Sequence, residues 1–229
     1  MTKIILQKTG QTSEDWKDGF LDIRKSKIIS FINKKRLNST GFLERINTSA
    51  KVCDAGCGDL SLLDQLKGLG YKNLYGFDID ADLINSSSKY SLSENGFSEI
   101  KVGSLCKIPF DNESFDAVII WGILHHLDPE DYKIVFHEVI RILKPKGELF
   151  VVEPYPYILW KALCVIAGFL SFFSLPKIKN IYGVLSSEND LLKNFSNNRK
   201  VVRKIILKQC HQIQSKWHTG FWIFGGIRK

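Results

Sequence analysis

Short apolar runs alternate with amphipathic stretches through the middle of the chain, and this pattern predicts a sheet of parallel strands. A strand followed by a helical stretch indicates a crossover connection, so repetition of this unit predicts a parallel sheet covered on both faces. The predicted strands are Lys51–Asp54, Asn73–Asp78, Glu99–Val102, Ala117–Trp121 and Glu148–Glu153. The fourth run is apolar throughout, which is typical of a central parallel strand.

The two ends of the chain predict elements of other kinds. Apolar residues recur at helical spacing over Ser13–Arg36, and Phe42–Ile46 predicts a second, short helix. At the other end, Arg203–Gln214 and Trp217–Arg228 both have strand character. The short Ser215-Lys216 link between these two runs predicts an antiparallel hairpin.

The helix after the fourth strand has clear boundary signals. Asp128 is a residue type that is favoured at a helix N-cap, and Pro129 suits the first helical position. The sequence Lys144-Pro-Lys-Gly predicts the end of this helix.

One segment, Tyr157–Leu175, is apolar on all sides and has Lys161 as its only charge. Its length approaches the roughly 20 residues that cross a bilayer core. A single crossing would place parts of the same sheet on opposite sides of a membrane, so three alternatives stay open. They are a buried cap helix, a monotopic or re-entrant helical pair broken near Gly168, and a roof over a lipid-like substrate. The second and third alternatives predict partitioning into anionic liposomes.

The segment Val52–Ser61 predicts a strand, a tight glycine turn and the start of a helix. Gly56 and Gly58 remove side chains where the backbone must bend or approach a ligand. A dinucleotide fingerprint would need a third glycine where Ser61 stands, and the Gly-Lys-Ser/Thr of a phosphate loop is absent. Asp54, at the end of the strand, repels phosphate and favours a cationic group.

A second acid follows the second strand. Asp78 lies twenty residues after Gly58, where doubly wound folds place the carboxylate that binds ribose hydroxyls. Asp80 is the better N-cap for the next helix, which leaves Asp78 available for a ligand. The two acids therefore predict a ribonucleoside that carries a positive group and no phosphate, a description that fits S-adenosylmethionine.

From about Lys51 to Glu153 the chain resembles the class I S-adenosylmethionine-dependent methyltransferases. Five motifs in order carry the resemblance: Asp54-Ala-Gly-Cys-Gly, Gly76-Phe-Asp-Ile-Asp, Gly103-Ser-Leu-Cys-Lys-Ile-Pro-Phe, Phe115-Asp-Ala-Val-Ile-Ile-Trp-Gly-Ile-Leu-His-His-Leu and Arg141-Ile-Leu-Lys-Pro-Lys-Gly-Glu. The resemblance implies a doubly wound, mostly parallel seven-stranded sheet with an antiparallel last strand. We expect a single domain with an N-terminal helical region (1–49), a cofactor-binding core (50–154), an apolar helical cap insertion between strands 5 and 6 (155–198) and a C-terminal β-hairpin (199–229).

The resemblance also implies roles for particular residues. The methionine moiety would contact the glycine turn, the ribose would bind Asp78, and the adenine would pack on Ile79 beside Ser104 and Leu105. In full, the expected cofactor-binding residues are Asp54, Gly56, Cys57, Gly58, Asp78, Ile79, Ser104, Leu105, Trp121 and Gly122. The chain departs from the family at Ser104, where an acid is frequent, and at Leu60, where many members have a third glycine.

Methyl transfer from a sulfonium is an in-line displacement that requires positioning and no metal. If a proton must leave the acceptor, His126 and Glu153 are the candidate general bases. His126 is preferred to His125 because family members most often keep that position. The alternative is a structural histidine that hydrogen-bonds the cofactor loop.

The sequence limits the class of methyl acceptor but does not identify the compound. The Asn/Asp-Pro-Pro-Tyr and Pro-Cys motifs of nucleic-acid methylases are absent after the fourth strand, and Gly-Ile-Leu-His-His-Leu fits the small-molecule branch of the family. We therefore expect a methyltransferase for a small or lipid-like acceptor. The alternatives are an RNA or protein methyltransferase, or a non-catalytic domain that binds the cofactor.

Composition and charge indicate the expected partners and cellular compartment of the protein. The chain has 229 residues and a formal net charge of +8, which suits a solvated lysine-rich surface, an anionic membrane or, less well, nucleic acid. Its basic runs are dispersed without an aromatic repeat, which is a weak nucleic-acid signal. Five cysteines without a C-x-x-C pair and the lack of a signal peptide predict a cytoplasmic protein, with peripheral membrane association left open.

Overall fold

Seven strands form one mixed sheet in the computed structural model, which describes residues 27–87, 97–155, 157–171, 186, 188–218 and 221–229. The strands are β1 (Lys51–Ala55), β2 (Asn73–Asp78), β3 (Glu99–Val102), β4 (Phe115–Trp121), β5 (Leu143–Pro154), β6 (Cys210–His218) and β7 (Phe221–Arg228). Their order is β3-β2-β1-β4-β5-β7-β6. Strands β1 to β5 are parallel, and β7 is antiparallel to both of its neighbours. The predicted doubly wound sheet is confirmed.

Helices connect these strands. They are α1 (Lys27–Ser39), α2 (Phe42–Arg45), α3 (Ser61–Gly68), α4 (Ala81–Ser87), α5 (Tyr132–Ile142), α6 (Tyr157–Ser171) and α7 (Asn189–Gln209), with a 3-10 turn at Leu124–His126. Within the described ranges, no helix is both long and apolar enough to cross a bilayer.

The core lies on both faces of the sheet because successive strand residues point to opposite sides. In β4, Val118 and Ile120 belong to one buried cluster with residues of α5 and α7. Ala117 and Ile119 belong to a second cluster with residues of α1, α2 and α3. All four side chains are fully buried, which explains why the run from Ala117 to Trp121 is apolar throughout.

The N-terminal half agrees with the predicted elements, with small shifts of boundary. The five core strands are present, and β4 and β5 begin earlier than predicted, at Phe115 and Leu143. The helix expected over Ser13–Arg36 is seen from Lys27 onward, and residues 13–26 lie outside the described part. The short helix predicted from Phe42 is present.

The predicted start of α5 was wrong. The amide of Asp131 donates to the carbonyl of Asp128 in a turn, and the helix begins only at Tyr132. A separate 3-10 turn at Leu124–His126 lies just before this turn. The Asp-Pro pair therefore begins a turn ahead of the helix.

The C-terminal strand boundary was also wrong. Residues from Arg203 to Gln209 are helical, because α7 runs to Gln209 and β6 begins at Cys210. The β-branched residues that suggested a strand include Ile206, which lies four residues after Val202 and buries one face of α7 together with it. The Ser215-Lys216 pair lies inside the paired part of β6, so the predicted turn is not there.

Candidate active site at the carboxyl edge of the sheet

The glycine turn after β1 has the backbone that its sequence predicts. Gly56 and Gly58 both have positive φ, at 84° and 50°. The amides of Gly56 and Cys57 donate to the carbonyl of Phe77 at 2.9 and 3.0 Å, which fixes the turn to the end of β2. A Cβ atom on Gly56 would lie 3.0 Å from Cγ1 of Ile123, so this glycine also permits a close approach by the segment that follows β4.

Asp78 joins the two predicted cofactor motifs. Its Oδ2 atom accepts a hydrogen bond from the amide of Gly58 at 2.9 Å, and its Oδ1 atom accepts one from the amide of Asp80 at 3.0 Å. Asp80 in turn accepts from the amide of Leu83 at 2.9 Å, so the prediction that Asp80 caps α4 is confirmed. Because a carboxylate has about four acceptor sites, each oxygen of Asp78 can accept one further bond.

Cys57 fills the space beneath the turn. Its side chain is buried, and Gly76 makes room for it, since a Cβ atom there would lie 3.0 Å from Cβ and Sγ of Cys57. Burial raises the pKa of the Cys57 thiol well above its usual value, and the negative charges of Asp54 and Asp78 raise it further. The thiol is therefore neutral and serves as packing. Asp54 is itself buried at the end of β1.

The residues expected to bind adenine lie next to Asp78. Ile79 has 48% of its surface exposed, directly after the end of β2. The amide of Gly103 donates to the carbonyl of Asp78 at 2.8 Å, which positions the turn after β3. In that turn Ser104 Oγ accepts from the amide of Cys106 at 3.2 Å, and Leu105 is buried.

An ion-pair strap fixes the loop that follows this turn. The Arg141 guanidinium bonds both carboxylate oxygens of Glu138 and donates to the carbonyls of Ile108 and Phe110. Glu138 also accepts from the amide of Ile108 at 2.8 Å. The guanidinium hydrogen bonds lower the pKa of the Glu138 carboxyl below its ordinary value. Helix α5 thereby holds this loop next to Ser104 and Leu105, the residues predicted to lie beside the adenine.

The segment after β4 is held by Glu153, at the end of β5. Gly122 has a φ of 65°, and its amide donates to the carbonyl of Val152 at 2.8 Å, beside the half-buried Trp121. The Glu153 carboxylate is 0% exposed and its Oε1 atom accepts from the amides of Ile123 and Leu124 at 2.8 and 2.7 Å.

His125 lies between two buried carboxylates. Its Nδ1 atom is 2.7 Å from Oε2 of Glu153, and its Nε2 atom is 2.9 Å from Oε2 of Glu188, the residue before α7. Burial lowers the pKa of the imidazole, but the two carboxylates outweigh burial and raise its pKa to about 9. At neutral pH, His125 is therefore a cation that donates to both acids.

These contacts bear on the two candidate bases. Glu153 is engaged through both oxygens and has no exposed surface, so it is placed to position the segment after β4 rather than to take a proton from an acceptor. His126 has 19% of its side chain exposed, and its Nε2 atom lies 3.7 Å from Oε2 of Glu188. The general-base role of His126 stays a prediction.

Sequence reasoning missed the part that Glu188 plays. It lies in the segment between β5 and β6, 63 residues beyond His125, with which it pairs. No spacing rule connects two residues across such an insertion. The sequence favours His126 over His125, and the 3-10 turn that contains both histidines buries His125 instead.

Two features of the structure bear on the class of protein. The strand order with an antiparallel β7, and a glycine turn whose backbone is bonded to the acid after β2, agree with the class I S-adenosylmethionine-dependent methyltransferase fold that the sequence predicts. Residues 53–151 match the family model described as a methyltransferase domain.

Particular relatives fall into two groups. The chain is 29% identical over 131 residues to a demethylmenaquinone methyltransferase of Bacillus subtilis, covering 55% of each protein. It is 32% identical over 112 residues to a tRNA (carboxymethyluridine(34)-5-O)-methyltransferase of Arabidopsis thaliana, covering 48% of this chain and 25% of that one. The chain thus spans about half the length, or less, of the curated relatives it matches.

The fold has solved counterparts. A putative S-adenosyl-L-methionine-dependent methyltransferase of Methanococcus maripaludis superposes with a TM-score of 0.63 at 16% identity, covering 96% of this chain and 95% of that one. At this level of identity the likeness shows the shared fold and nothing about the acceptor.

Proposed function

We propose that the protein transfers a methyl group from S-adenosylmethionine to a small, lipid-like acceptor at the carboxyl edge of β1, β2 and β4. The observation that carries the cofactor half of this proposal is the bond between Gly58 and Asp78, which sets a carboxylate beside a glycine turn. Ligands in open α/β sheets bind at this edge.

The residues at the edge suit the cofactor. The oxygens of Asp78 have acceptor capacity for the two ribose hydroxyls, and the exposed Ile79 offers an apolar surface for adenine. Asp54, Gly56, Cys57 and Gly58 would contact the methionine moiety, whose sulfonium is attracted by the acid. The bound cofactor supplies an activated methyl group, so the protein has to position the acceptor and exclude water.

Support for a lipid-like acceptor comes from helix α6. Four of its apolar side chains are more than half exposed: Ile158, Val165, Ile166 and Phe169. Their spacing of seven, one and three residues places them on one face of the helix. A contiguous apolar face of this kind marks an interaction site. The relatives that are named for demethylmenaquinone support the same class of acceptor.

The test is a transfer assay with methyl-labelled S-adenosylmethionine on separated lipid, RNA and protein extracts. We expect label in the lipid fraction, and much less label with Asp78→Ala when the cofactor is kept below the Kd of that variant. Phe169→Glu should reduce that labelling and the binding to anionic liposomes, while its cofactor affinity stays unchanged. Ile134→Glu is the matched control, because Ile134 is also about half exposed but lies on α5. Equal labelling by Phe169→Glu and wild type would remove α6 from the proposal.

RNA is the second candidate acceptor. The tRNA methyltransferase relatives and the net charge of +8 favour it. Label in the RNA extract, together with RNA binding that weakens steeply as salt rises, would favour this candidate over the lipid. Cofactor binding without label in any extract would instead indicate a non-catalytic domain.

A further inference from the structure

Three potential metal ligands converge beside the segment that follows β4. His125 and His126 come from the 3-10 turn, and Glu188 comes from the residue before α7. Their candidate ligand atoms all lie within 4.8 Å of one another. The side chains are mostly buried, with 6%, 19% and 7% of their surfaces exposed.

The distances approach those of a zinc site. Two donors on one tetrahedral Zn²⁺ are about 3.3 Å apart, given metal–ligand bonds of roughly 2.0 to 2.1 Å. Oε2 of Glu188 lies 2.9 Å from Nε2 of His125 and 3.7 Å from Nε2 of His126, which brackets that value. The two imidazoles are 4.1 Å apart between ring centroids, and rotation of the more exposed His126 ring would bring its nitrogen into place.

The surroundings also suit a metal. Nδ1 of His125 lies 2.7 Å from the Glu153 carboxylate, the outer-shell contact that fixes tautomer and orientation in metal-binding histidines. Glu153 is itself held by two backbone amides. Two histidines and one carboxylate form a ligand set that Zn²⁺ accepts with a fourth position open.

We propose that His125, His126 and Glu188 form a binding site for a divalent transition-metal ion, with Zn²⁺ as the ion that best suits the ligands. The ion takes the place of the proton on Nε2 of His125, and Nδ1 keeps its proton toward Glu153. In this assignment His126 is a ligand and not the general base, because the Nε2 lone pair cannot serve both roles. Metal binding is independent of whether the protein transfers methyl groups.

The experiment measures metal binding directly. Full-length protein is stripped with EDTA, exchanged into chelator-free buffer and titrated with Zn²⁺ by calorimetry and with Co²⁺ by absorption spectroscopy. We expect one ion per chain, a Co²⁺ spectrum without a thiolate charge-transfer band, and a higher Tm in the presence of Zn²⁺. The Co²⁺ spectrum separates this site from binding by the five cysteines, because thiolate ligands would add a charge-transfer band.

The variants form a graded set. Glu188→Gln and His126→Ala should each lose the ion, with His126→Gln as a second variant if the alanine fails to fold by circular dichroism. Glu153→Gln should weaken binding by about 10- to 100-fold, as outer-shell substitutions do. His137→Ala is the control, because His137 is an exposed histidine on α5. Wild-type stoichiometry and affinity in folded Glu188→Gln and His126 variants, a thiolate spectrum, or no bound ion in wild type would each overturn the site.

Discussion

The amide of Gly58 donates a hydrogen bond to the carboxylate of Asp78 at 2.9 Å, across 20 residues of sequence. This bond joins the turn after β1 to the acid after β2, so the two sides of the predicted cofactor site are set relative to each other before any ligand binds. Such preorganisation lowers the ordering cost of binding.

Asp78→Ala should weaken S-adenosylmethionine binding by about 10- to 100-fold. Loss of hydrogen bonds to a charged group costs roughly 1.5 to 3 kcal/mol, and each 1.4 kcal/mol is a factor of ten in affinity. Isothermal calorimetry measures the change. Asp82→Ala is the control, because Asp82 is an exposed acid in the first turn of α4. Unchanged affinity in Asp78→Ala would show that Asp78 does not bind the ribose.

Gly56→Ala should destabilise the fold by about 1 to 3 kcal/mol, because an alanine at positive φ is strained. The new methyl group would also press on Cγ1 of Ile123 at 3.0 Å. Gly68→Ala is the matched control, since Gly68 is helical and a Cβ atom there has open space around it. Urea unfolding measures both. In the double variant Gly56→Ala with Ile123→Ala, the close contact with Cγ1 of Ile123 should be relieved. The destabilisation caused by the positive φ of residue 56 should remain.

Leu60→Gly should destabilise the protein although it removes a strained backbone. Leu60 has a φ of 63° at the N-cap of α3, which costs a non-glycine residue roughly 1 to 2 kcal/mol. The leucine is only 6% exposed, and deleting a buried leucine side chain costs about 2 to 5 kcal/mol. The lost burial therefore outweighs the relief. A rise in the free energy of unfolding would show that the strain dominates at this departure from the family pattern.

Glu153→Gln should destabilise the protein by about 3 kcal/mol in buffer containing EDTA, because removal of one partner leaves the charged His125 with a weakened counter-charge in a buried site. The amides of Ile123 and Leu124 would also lose a charged acceptor. Urea unfolding at neutral pH measures the change. Glu130→Gln, at an exposed position ahead of α5, should change stability little.

The Glu138–Arg141 strap should contribute stability that depends on pH. Because the pKa of Glu138 is lower in the folded protein, its contribution is present above the ordinary value of 4.5 and is lost as the pH falls through the folded pKa. Glu138→Gln should therefore destabilise at pH 7, and the difference from wild type should shrink below about pH 4.5. Glu44→Gln, at an exposed position on α2, serves as the control in urea unfolding at both pH values. A difference that stays constant across this range would contradict the linkage.

The cofactor half of the molecule could be predicted from local sequence signals. The glycine turn, Asp78 and the N-cap Asp80 each depend on a residue type whose backbone or hydrogen-bonding preference is strong by itself. The strands β1 to β5 follow from apolar runs that are buried on both faces. All of these features arise within a few residues of the signal that predicts them.

The features that the sequence did not reveal arise between distant segments. The β-branched residues Ile205 and Ile206 favour a strand locally, and packing of α7 against α5 makes them helical. The partner of His125 is separated from it by β5, α6 and a segment outside the described residues. Tertiary contacts decide both cases, and they leave no local pattern.

The position of α6 and α7 in the chain has a consequence for engineering. The parallel strands are complete at Pro154, after which β7 pairs with β5 and β6 pairs with β7. Chimeras could therefore exchange the segment between Tyr155 and Gln209 while leaving the strands and turns of the predicted cofactor site unchanged. A grafted segment would have to supply a carboxylate where Glu188 stands, or the imidazolium of His125 would keep only Glu153 as its counter-charge.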